Sequence, residues 1–281
     1  MQISVVIPSY NRRHTLQRAL QSVFEQSSVV DEVILVDDGS SDGSAEMVTR
    51  AFPTVKLIRQ PNLGVSAARN RGIEAARYDW IALLDSDDSW LPTKIEKIRA
   101  ARRQQPDFVL FHSDEIWMRR GVRVNPMKKH RKHGGWIFEQ CLPLCAISPS
   151  ASVIRKSVLQ ELGMFDESLP ACEDYDLWLR LSHRFPVCYL DEALIVKYGG
   201  HEDQLSRQHP AMDQFRVRSL HRLLREQDLS AAQQAAATRE LVTRLDILLK
   251  GASRRGNRAL LEEFVPLREY WGKVATGAAS C

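Results

Sequence analysis

Trp-Ile-Ala-Leu-Leu-Asp-Ser-Asp-Asp occupies residues 80–88 and contains the pattern that decides the fold. The apolar run that opens this stretch predicts a buried strand. Asp85, Asp87 and Asp88 follow at once, so the strand would deliver three carboxylates to one edge of a sheet. Carboxylates this close raise each other's pKa unless a cation lies between them. The stretch therefore predicts a site for Mg²⁺ or Mn²⁺, which prefer oxygen ligands. A solvated turn that caps the next helix is the alternative.

Short apolar runs alternate with amphipathic segments through the N-terminal third of the chain. Strands are predicted at residues 3–7, 33–36 and 55–58, and helices at 16–24, 45–51 and 65–76. This alternation implies right-handed crossovers and a mainly parallel sheet flanked by helices. Ligands of such sheets bind at the carboxyl ends of the strands. Residues 8–11, 37–38 and 85–88 all fall at such ends, and this convergence favours the ligand site over the turn.

The composition is that of an ordinary globular protein. Its 281 residues, 44% of them hydrophobic, suffice for one large domain or a domain with an appendage and argue against a disordered chain. No apolar run is long enough to span a bilayer, and no signal peptide is predicted. Five cysteines without a CxxC pair indicate a reduced, cytoplasmic compartment rather than a disulfide framework or a zinc site. The net charge of +4 is too small to predict nucleic-acid binding.

Four motifs follow one another along the predicted sheet. They are Val-Val-Ile-Pro-Ser-Tyr-Asn-Arg at 5–12, Val-Asp-Asp-Gly-Ser at 36–40, Asn-Leu-Gly at 62–64 with Ala-Ala-Arg-Asn at 67–70, and Leu-Asp-Ser-Asp-Asp at 84–88. Their order and spacing resemble a family 2 glycosyltransferase with the GT-A fold, an α/β architecture with a Rossmann-like sheet. The resemblance implies a nucleotide-sugar donor, Mn²⁺ or Mg²⁺ as cofactor, and inverting transfer of a sugar to an acceptor hydroxyl.

The resemblance also implies a set of metal-binding residues. Asp87 would hold the ion, which neutralises the leaving diphosphate as a Lewis acid, and Asp88 would assist. His201 matches a segment that closes over the diphosphate and contacts metal or phosphate. The chain departs from the family pattern at Gly199, where many relatives carry an arginine. The candidates to replace that phosphate contact are Lys197 and Arg207.

The donor-binding residues that the resemblance implies lie in four segments: Pro8, Ser9, Tyr10, Asn11, Asp37, Asp38, Asn62, Arg69, Asp85 and Ser86. Asp38 matches the carboxylate that accepts a hydrogen bond from the base N3–H, which favours a UDP- or dTDP-sugar over a CMP-sugar. Tyr10 would stack on the base, and Asp85 would lie near the ribose or the donor sugar. Simpler roles stay open, in which Tyr10 only packs, Asp37 caps the next helix and Arg69 only forms a salt bridge.

A second acidic group follows Pro170, where a helix is predicted that buries Leu177, Trp178 and Leu181. Carboxylates in a first helical turn are stabilised by the helix dipole, which is the structural explanation for Glu173 and Asp174. This pair followed by Leu-Trp resembles the family's base motif. The resemblance makes Asp174 the catalytic base for the acceptor hydroxyl, with Glu173 orienting it or contacting a sugar hydroxyl.

Between the two acidic motifs lies a run of six basic residues, 128–133. Such a run is usually a solvated surface, which is our expectation here, and an anionic acceptor site is the alternative. Residues 112–115 are expected on the acceptor side of the site. Residues 148–154 regain strand character and are expected to re-enter the sheet.

From residue 211 onward the pattern changes to long, arginine-rich helices, near 215–224, 241–249 and 259–270. We therefore divide the chain into a GT-A catalytic domain, 1–210, and a C-terminal helical extension, 211–281. The extension is expected to pack on the first domain. A homodimer contact and a peripheral contact with an anionic membrane surface are the alternatives.

Together these patterns and the resemblance predict a metal-dependent inverting hexosyl- or N-acetylhexosaminyl-transferase. Its acceptor would be a glycan, lipid-linked or phosphorylated, and its setting bacterial cell-surface glycan synthesis in the cytoplasm or at the inner face of the membrane. A non-catalytic relative that binds a nucleotide sugar or glycan is the alternative, although a pure binder needs no base. A response-regulator-like domain would explain Asp37 and Asp38, but it is far shorter and leaves the later acidic motifs without a role.

Overall fold

The computed structural model describes residues 1–200, 209 and 211–277. The described residues form a mixed sheet of nine strands: β1 (Ile3–Ser9), β2 (Glu32–Asp37), β3 (Lys56–Arg59), β4 (Trp80–Leu83), β5 (Ser89–Trp90), β6 (Leu110–Arg119), β7 (Val122–Val124), β8 (Val153–Arg155) and β9 (Cys188–Gly199). The helices are α1 (Arg13–Phe24), α2 (Ser44–Ala51), α3 (Val65–Ala75), α4 (Lys94–Gln104), α5 (Phe138–Cys141), α6 (Lys156–Glu161), α7 (Glu173–Ser182), α8 (Asp213–Glu226), α9 (Ala231–Arg254) and α10 (Arg258–Ala275).

The predicted alternation of strands and helices in the N-terminal third is confirmed. β1 lies between β2 and β4, β3 flanks β2, and all four strands are parallel. Every residue of β1 and β4 is buried, because helices cover both faces of the sheet. Ser9 lies opposite Asp37, and Val6 lies opposite Leu83. The loops that follow β1, β2 and β4 therefore open at the same edge of the sheet.

The second half of the sheet is mixed. β8 runs antiparallel to β4 on one side and to β6 on the other, while β6 and β9 are parallel. The strand expected at 148–154 is shorter, since Pro149–Ala151 form a 3₁₀ turn and only Val153–Arg155 join the sheet. This turn places Ser150 beside the loop that follows β4, where it takes part in the site described below.

Two apolar layers cover the sheet because successive side chains of a strand point to opposite faces. Val5 and Ile7 face the layer of α1 and α4, and Val6 faces the layer of α3 and α7. The second layer continues without interruption into α8, α9 and α10, where Trp271 is fully buried. The expected packing of the C-terminal helices on the first domain is therefore confirmed. No helix in the described part of the chain combines the length and the apolar character of a membrane span.

One helical glycine is required by the close approach of α3 to β1 and β2. A Cβ atom at Gly72 would lie 2.4 Å from Val6 Cγ1 and 3.3 Å from Val36 Cγ2. We expect Gly72→Ala to lower the free energy of unfolding by about 1–3 kcal/mol, since overpacking a rigid core outweighs the helix propensity of alanine. Urea unfolding followed by circular dichroism measures the change.

Gly251→Ala is the matched control, because Gly251 is also helical but its added Cβ would meet only the mobile guanidinium of Arg255. This variant should be neutral or slightly more stable than the native protein. Equal unfolding free energies for the two variants would contradict the described packing of α3.

Candidate active site

A cavity of about 820 Å³ opens at the carboxyl ends of β1, β2 and β4. Its walls include the first loop, the acidic loop 85–88 and the start of α7, so the structure brings the two predicted acidic motifs into one site. The predicted donor and catalytic residues that line it are Pro8, Ser9, Tyr10, Asp38, Asn62, Arg69, Asp85, Ser86, Glu173 and Asp174. The predicted metal-binding residues Asp87 and Asp88 line it as well. His201 lies outside the described residues.

The acidic loop is held by residues distant from it in the chain, Ser150 in the 3₁₀ turn before β8 and Tyr198 in β9. Ser150 Oγ accepts a hydrogen bond from the backbone N–H of Asp85 at 3.1 Å and donates one to Asp88 Oδ2 at 2.6 Å. Asp88 Oδ1 also accepts from the backbone N–H of Tyr198 at 3.1 Å. Burial raises the pKa of Asp88 well above its usual range, although the nearby Lys197 opposes the shift. Asp88 therefore anchors the loop to the sheet, while the half-buried Asp85 and Asp87 carry the loop's accessible carboxylates.

Arg69 joins the acidic loop to the predicted base helix. Its guanidinium is 3% exposed and donates to Asp85 Oδ1 at 2.7 Å and to Glu173 Oε1 at 2.6 Å. Burial opposes the charge, but the two carboxylates outweigh it and leave the pKa of Arg69 above its ordinary value. The salt-bridge role that the sequence left open is thus the one the structure displays. One cation fixes the spacing of the two acidic segments.

Asp174 stands in the first turn of α7 and is only half-buried, with one edge on the cavity. Its Oδ1 accepts from the backbone N–H of Tyr175 at 2.7 Å, and its Oδ2 accepts from the Cys145 thiol at 3.0 Å. Burial and the neighbouring Asp174 carboxylate raise the pKa of Cys145 well above its usual range, so the thiol keeps its proton and acts as the donor. Cys145 thereby orients the predicted base.

Glu173 has a different environment from Asp174 although the two are adjacent. It is 6% exposed, and burial raises its pKa while the bound Arg69 counters part of that shift. Cys172, which precedes both, adopts a left-handed conformation with φ of 63°, and this turn starts the helix at the cavity wall. The arrangement leaves Asp174 as the more accessible carboxylate of the pair.

Asp38 organises the loop that carries Asn62. Its carboxylate accepts from Gln60 Nε2 at 2.8 Å and from the backbone N–H groups of Leu63 and Gly64, both at 2.9 Å. A carboxylate has about four acceptor positions, so one remains for a ligand. The loop it supports leaves Asn62 exposed at the rim of the cavity.

Two predicted donor-binding residues lie beside the cavity rather than in its lining. Asn11 Oδ1 accepts from the backbone N–H of Ser41, and the Asn11 N–H donates to Ser40 Oγ, both at 2.9 Å. Asp37 accepts from the backbone N–H of Ser40 at 3.2 Å and lies 3.6 Å from Arg59. Asn11 thus braces the first loop against the loop after β2, whereas the Asp37 side chain bonds within that second loop and pairs with the end of β3. This leaves Tyr10, which is 48% exposed, at the cavity mouth.

The basic residues Lys197 and Arg216 line the cavity, although Lys197 was only a candidate phosphate contact in the sequence and Arg216 was not predicted there. Lys197 donates to Ser148 Oγ at 3.1 Å, and although burial opposes its charge, nearby carboxylates that include Glu115 and Asp88 raise its pKa above the ordinary value. Arg216 reaches the lining from α8, in the C-terminal extension. No motif marked Arg216, because it is one of many arginines on the polar helix faces.

The basic run at 128–133 is not uniformly solvated. Lys132 is 7% exposed, lies 3.2 Å from Glu115 Oε1 and donates to the carbonyl of Ala146 at 3.1 Å. The expectation of a solvated surface is therefore wrong for Lys132, because Glu115 supplies a buried partner from β6. Within residues 112–115, expected on the acceptor side, His112 is buried and bonded through Nε2 to the carbonyl of His133. None of these four residues lines the cavity.

The donor set of the cavity fits a small divalent ion. Within residues 1–200, 209 and 211–277, no group of three or more histidine, cysteine or acidic side chains forms a ready-made metal cage. Mg²⁺-type ions are commonly held by one or two carboxylates and complete their coordination with substrate phosphates. The half-buried carboxylate of Asp87 in the cavity lining provides a ligand of that kind.

Comparison with known proteins identifies the family. The profile of "Glycosyl transferase family 2" matches residues 4–163, and the chain belongs to this family. It is 27% identical over 212 residues to an uncharacterized glycosyltransferase of Rickettsia felis, covering 73% of this chain and 35% of that protein. The chain spans less than two thirds of the length of the first curated relatives that it matches.

Solved structures confirm the GT-A fold. Staphylococcus aureus TarS 1-349 in complex with UDP-GlcNAc superposes with a TM-score of 0.69 at 19% identity, over 89% of this chain and 73% of that one. The mannosyltransferase PcManGT from Pyrobaculum calidifontis, in complex with GDP-Man and Mn²⁺, gives a TM-score of 0.64 at 17% identity, over 98% and 83% of the two chains. The similarity extends beyond residue 210 and includes the C-terminal helices.

Arg69 provides a test of the site's architecture. We expect Arg69→Met to lower the free energy of unfolding by about 3–5 kcal/mol, because the buried carboxylates of Asp85 and Glu173 lose their common partner. Urea unfolding at pH 7 measures the change, with an unchanged denaturant slope as evidence that the transition stays two-state.

Arg218→Met is the control, since Arg218 pairs with Glu263 at 2.8 Å but both side chains are more than 40% exposed. Exposed ion pairs typically contribute about 0–1 kcal/mol. A loss in Arg69→Met no greater than in this control would show that Arg69 does not hold the two acidic segments together.

Proposed function

We propose that the protein is a metal-dependent inverting glycosyltransferase that transfers a sugar from a nucleoside diphosphate sugar to an acceptor hydroxyl. The observation that carries the proposal is the Asp85–Arg69–Glu173 bridge, because it joins a metal-type carboxylate loop and a base-type helix at the wall of one cavity. A protein that only bound a ligand would need the first of these elements and not the second.

The donor proposal rests on the cavity and on the relatives. TarS and PcManGT were solved with UDP-GlcNAc and GDP-Man, which supports a nucleoside diphosphate sugar as donor. The remaining acceptor position of Asp38 suits the N3–H of uracil or thymine, so we favour a UDP- or dTDP-sugar carrying a hexose or an N-acetylhexosamine. Tyr10 would stack on the base, and Asn62 would contact the nucleoside. Ser9 Oγ is buried in the lining and, among the described residues, has no hydrogen-bond partner, so it is available to a donor.

Asp87 would hold the Mn²⁺ or Mg²⁺ ion, with Asp88 anchoring the loop and His201 as a further candidate ligand. The bound ion supplies Lewis-acid neutralisation of the departing diphosphate. Lys197 would stabilise the same developing charge as a fixed cation and so supply the contact that Gly199 cannot make. Asp85 would contact the ribose or donor sugar through the carboxylate oxygen that Arg69 leaves accessible, and Ser86 would contribute to the same wall.

Asp174 would accept the proton of the acceptor hydroxyl as that oxygen attacks the anomeric carbon. The Cys145 thiol and the Tyr175 N–H orient its carboxylate. Glu173 remains bound to Arg69, and the positive charge of Arg69 reduces the repulsion between the adjacent carboxylates of Glu173 and Asp174. Attack from the face opposite the leaving diphosphate gives inversion at the anomeric carbon.

We propose a glycan as acceptor, lipid-linked or phosphorylated, and a role in bacterial cell-surface glycan synthesis at the cytoplasmic side of the membrane. Relatives of this chain occur in the bacteria Mycobacterium tuberculosis, Rickettsia felis and Haemophilus influenzae, which supports this setting. The arginines of the C-terminal helices would allow a peripheral membrane contact or a homodimer. Residues 1–210 would form the catalytic domain, to which the extension 211–281 adds Arg216.

The base assignment gives the functional test. Asp174→Asn should keep the affinity for UDP in the presence of Mn²⁺ and lose about 10²-fold or more of the sugar-transfer rate, since the amide cannot take the proton. Calorimetry measures UDP binding, and release of nucleoside diphosphate from a panel of nucleotide sugars and acceptors measures turnover.

Two further variants serve as comparisons for Asp174→Asn. Asp107→Asn changes an exposed carboxylate that does not line the cavity and should leave both quantities unchanged. Asp87→Asn should weaken Mn²⁺-dependent UDP binding. Native turnover in Asp174→Asn would refute the assignment of the base. Nucleotide-sugar binding by the native protein without turnover on any acceptor would instead favour the non-catalytic relative.

A further inference from the structure

A second cavity lies at the opposite edge of the sheet from the donor cavity. It has a volume of about 710 Å³ and is lined by Arg99, Arg102, Arg103, Arg155, Trp80 and Asp79, among others. We call it the arginine cavity. Trp80 opens β4 and pairs with Ile3 at the start of β1, whereas the acidic loop follows the other end of β4. With a rise of about 3.3 Å per residue, the two sites are roughly 16 Å apart along this strand.

Three of the four arginines that line the arginine cavity form no ion pair with the described residues. Arg99 is committed, since it pairs with Asp31 at 2.6 Å and donates to the carbonyls of Met1 and Val29. In the part of the chain that the structure describes, no carboxylate lies within ion-pair distance of the other three arginines. The exposed Asp79 is the acidic residue in the lining. Several positive charges therefore face one concave space.

Trp80 brings two of these cations together. The guanidinium carbons of Arg102 and Arg155 lie 5.4 Å and 5.6 Å from the centre of the buried indole ring. The ring attracts each cation through its quadrupole, but it does not cancel their mutual repulsion. Arg102 comes from α4 and Arg155 from β8, so two separate elements converge on the same ring.

One simpler explanation accounts for part of this arrangement. Arg102 and Arg103 stand in the last turn of α4, where cations are stabilised by the helix dipole. That explanation does not extend to Arg155, which ends a strand. The arginine cavity is lined by four arginines and one aspartate, and a cleft with such an excess of positive charge concentrates the field and attracts an anion.

We propose that the arginine cavity binds a compact anion carrying two or more phosphate groups, at a site separate from the donor cavity. Guanidinium groups match phosphate oxygens through paired N–H donors, which makes arginine the preferred residue for this chemistry. The volume lies within the range of small-molecule sites, about 300–1,000 Å³. A soluble molecule or a lipid headgroup can carry the same phosphate groups, and the experiment distinguishes these sources.

The test uses inorganic pyrophosphate as probe and the full chain in a buffer with a metal chelator, which removes metal-dependent binding at the donor cavity. Calorimetry should detect pyrophosphate binding that weakens as NaCl is raised. The double variant Arg102→Gln/Arg155→Gln should weaken this binding by about tenfold or more, since charged hydrogen bonds are lost at both sides of Trp80. Arg103→Gln should produce a smaller loss and serves if the double variant does not fold.

Two controls locate the binding. Arg50→Gln removes an exposed arginine from the last turn of α2, a setting comparable to that of Arg102, and should leave the affinity unchanged. Asp87→Asn alters the donor cavity and should also leave it unchanged. Absence of pyrophosphate binding to the native chain would overturn the proposal. Pyrophosphate binding with native affinity in both Arg102→Gln/Arg155→Gln and Arg103→Gln would also overturn the proposal.

Vesicles identify the source of the phosphate. The lipid probe is cardiolipin, whose headgroup carries two phosphate groups, and zwitterionic phosphatidylcholine is its control. Co-sedimentation with cardiolipin vesicles but not with phosphatidylcholine vesicles assigns the site to a lipid headgroup if it is lost in Arg102→Gln/Arg155→Gln and displaced by pyrophosphate. Pyrophosphate binding without co-sedimentation assigns it to a soluble molecule. Vesicle binding that is independent of these arginines, in a chain that does not bind pyrophosphate, contradicts the proposal. None of these results depends on the proposed transferase activity.

Discussion

The buried guanidinium of Arg69 holds the candidate active site together. Removing two carboxylates from water is unfavourable unless a cation and well-formed hydrogen bonds compensate, and Arg69 provides both to Asp85 and Glu173 at 2.6–2.7 Å. Because Asp85 belongs to the loop after β4 and Glu173 begins α7, these ion pairs set the relative position of two segments 88 residues apart. Each segment also brings a half-buried carboxylate that does not pair with Arg69 to the cavity wall, Asp87 on the first and Asp174 on the second.

The sheet topology explains why such a site forms at this edge. Four parallel strands end together, so their loops meet, and the antiparallel β8 then brings Ser150 against the acidic loop. The last part of β9 adds the backbone N–H of Tyr198 and the side chain of Lys197 from the far side of the sheet. The arginine cavity lies at the other end of β4, where the guanidinium groups of Arg102 and Arg155 both pack over the ring of Trp80. Basic side chains therefore gather at the start of β4, and acidic side chains follow its end.

Much of this organisation could be predicted from the sequence because it is local. Apolar periodicity places the first strands and helices, and acidic stretches directly follow two of those strands, so the convergence of Asp38 and Asp85 follows from the parallel order. The resemblance to the family, and not the strand order, predicted the place of Asp174 in the same site. The division of roles within the site could not be predicted, because it depends on partners distant in the chain. Asp88 looks equivalent to Asp87 in sequence, but its partner Ser150 lies 62 residues later. Lys132 belongs to a basic run in the sequence, and only the folded structure shows that Glu115 of β6 pairs with it. No sequence motif predicts the hydrogen bond from Cys145 to Asp174.

Anomalous diffraction from a crystal grown with Mn²⁺ and UDP tests most directly whether Asp87 holds the metal ion in the donor cavity. We predict a manganese peak roughly 2 Å from a carboxylate oxygen of Asp87, as expected for a small divalent ion, with the diphosphate bound to it in the cavity that Asp174 lines. A manganese peak away from the acidic loop, or UDP bound in this cavity with no metal near Asp87, would contradict this prediction.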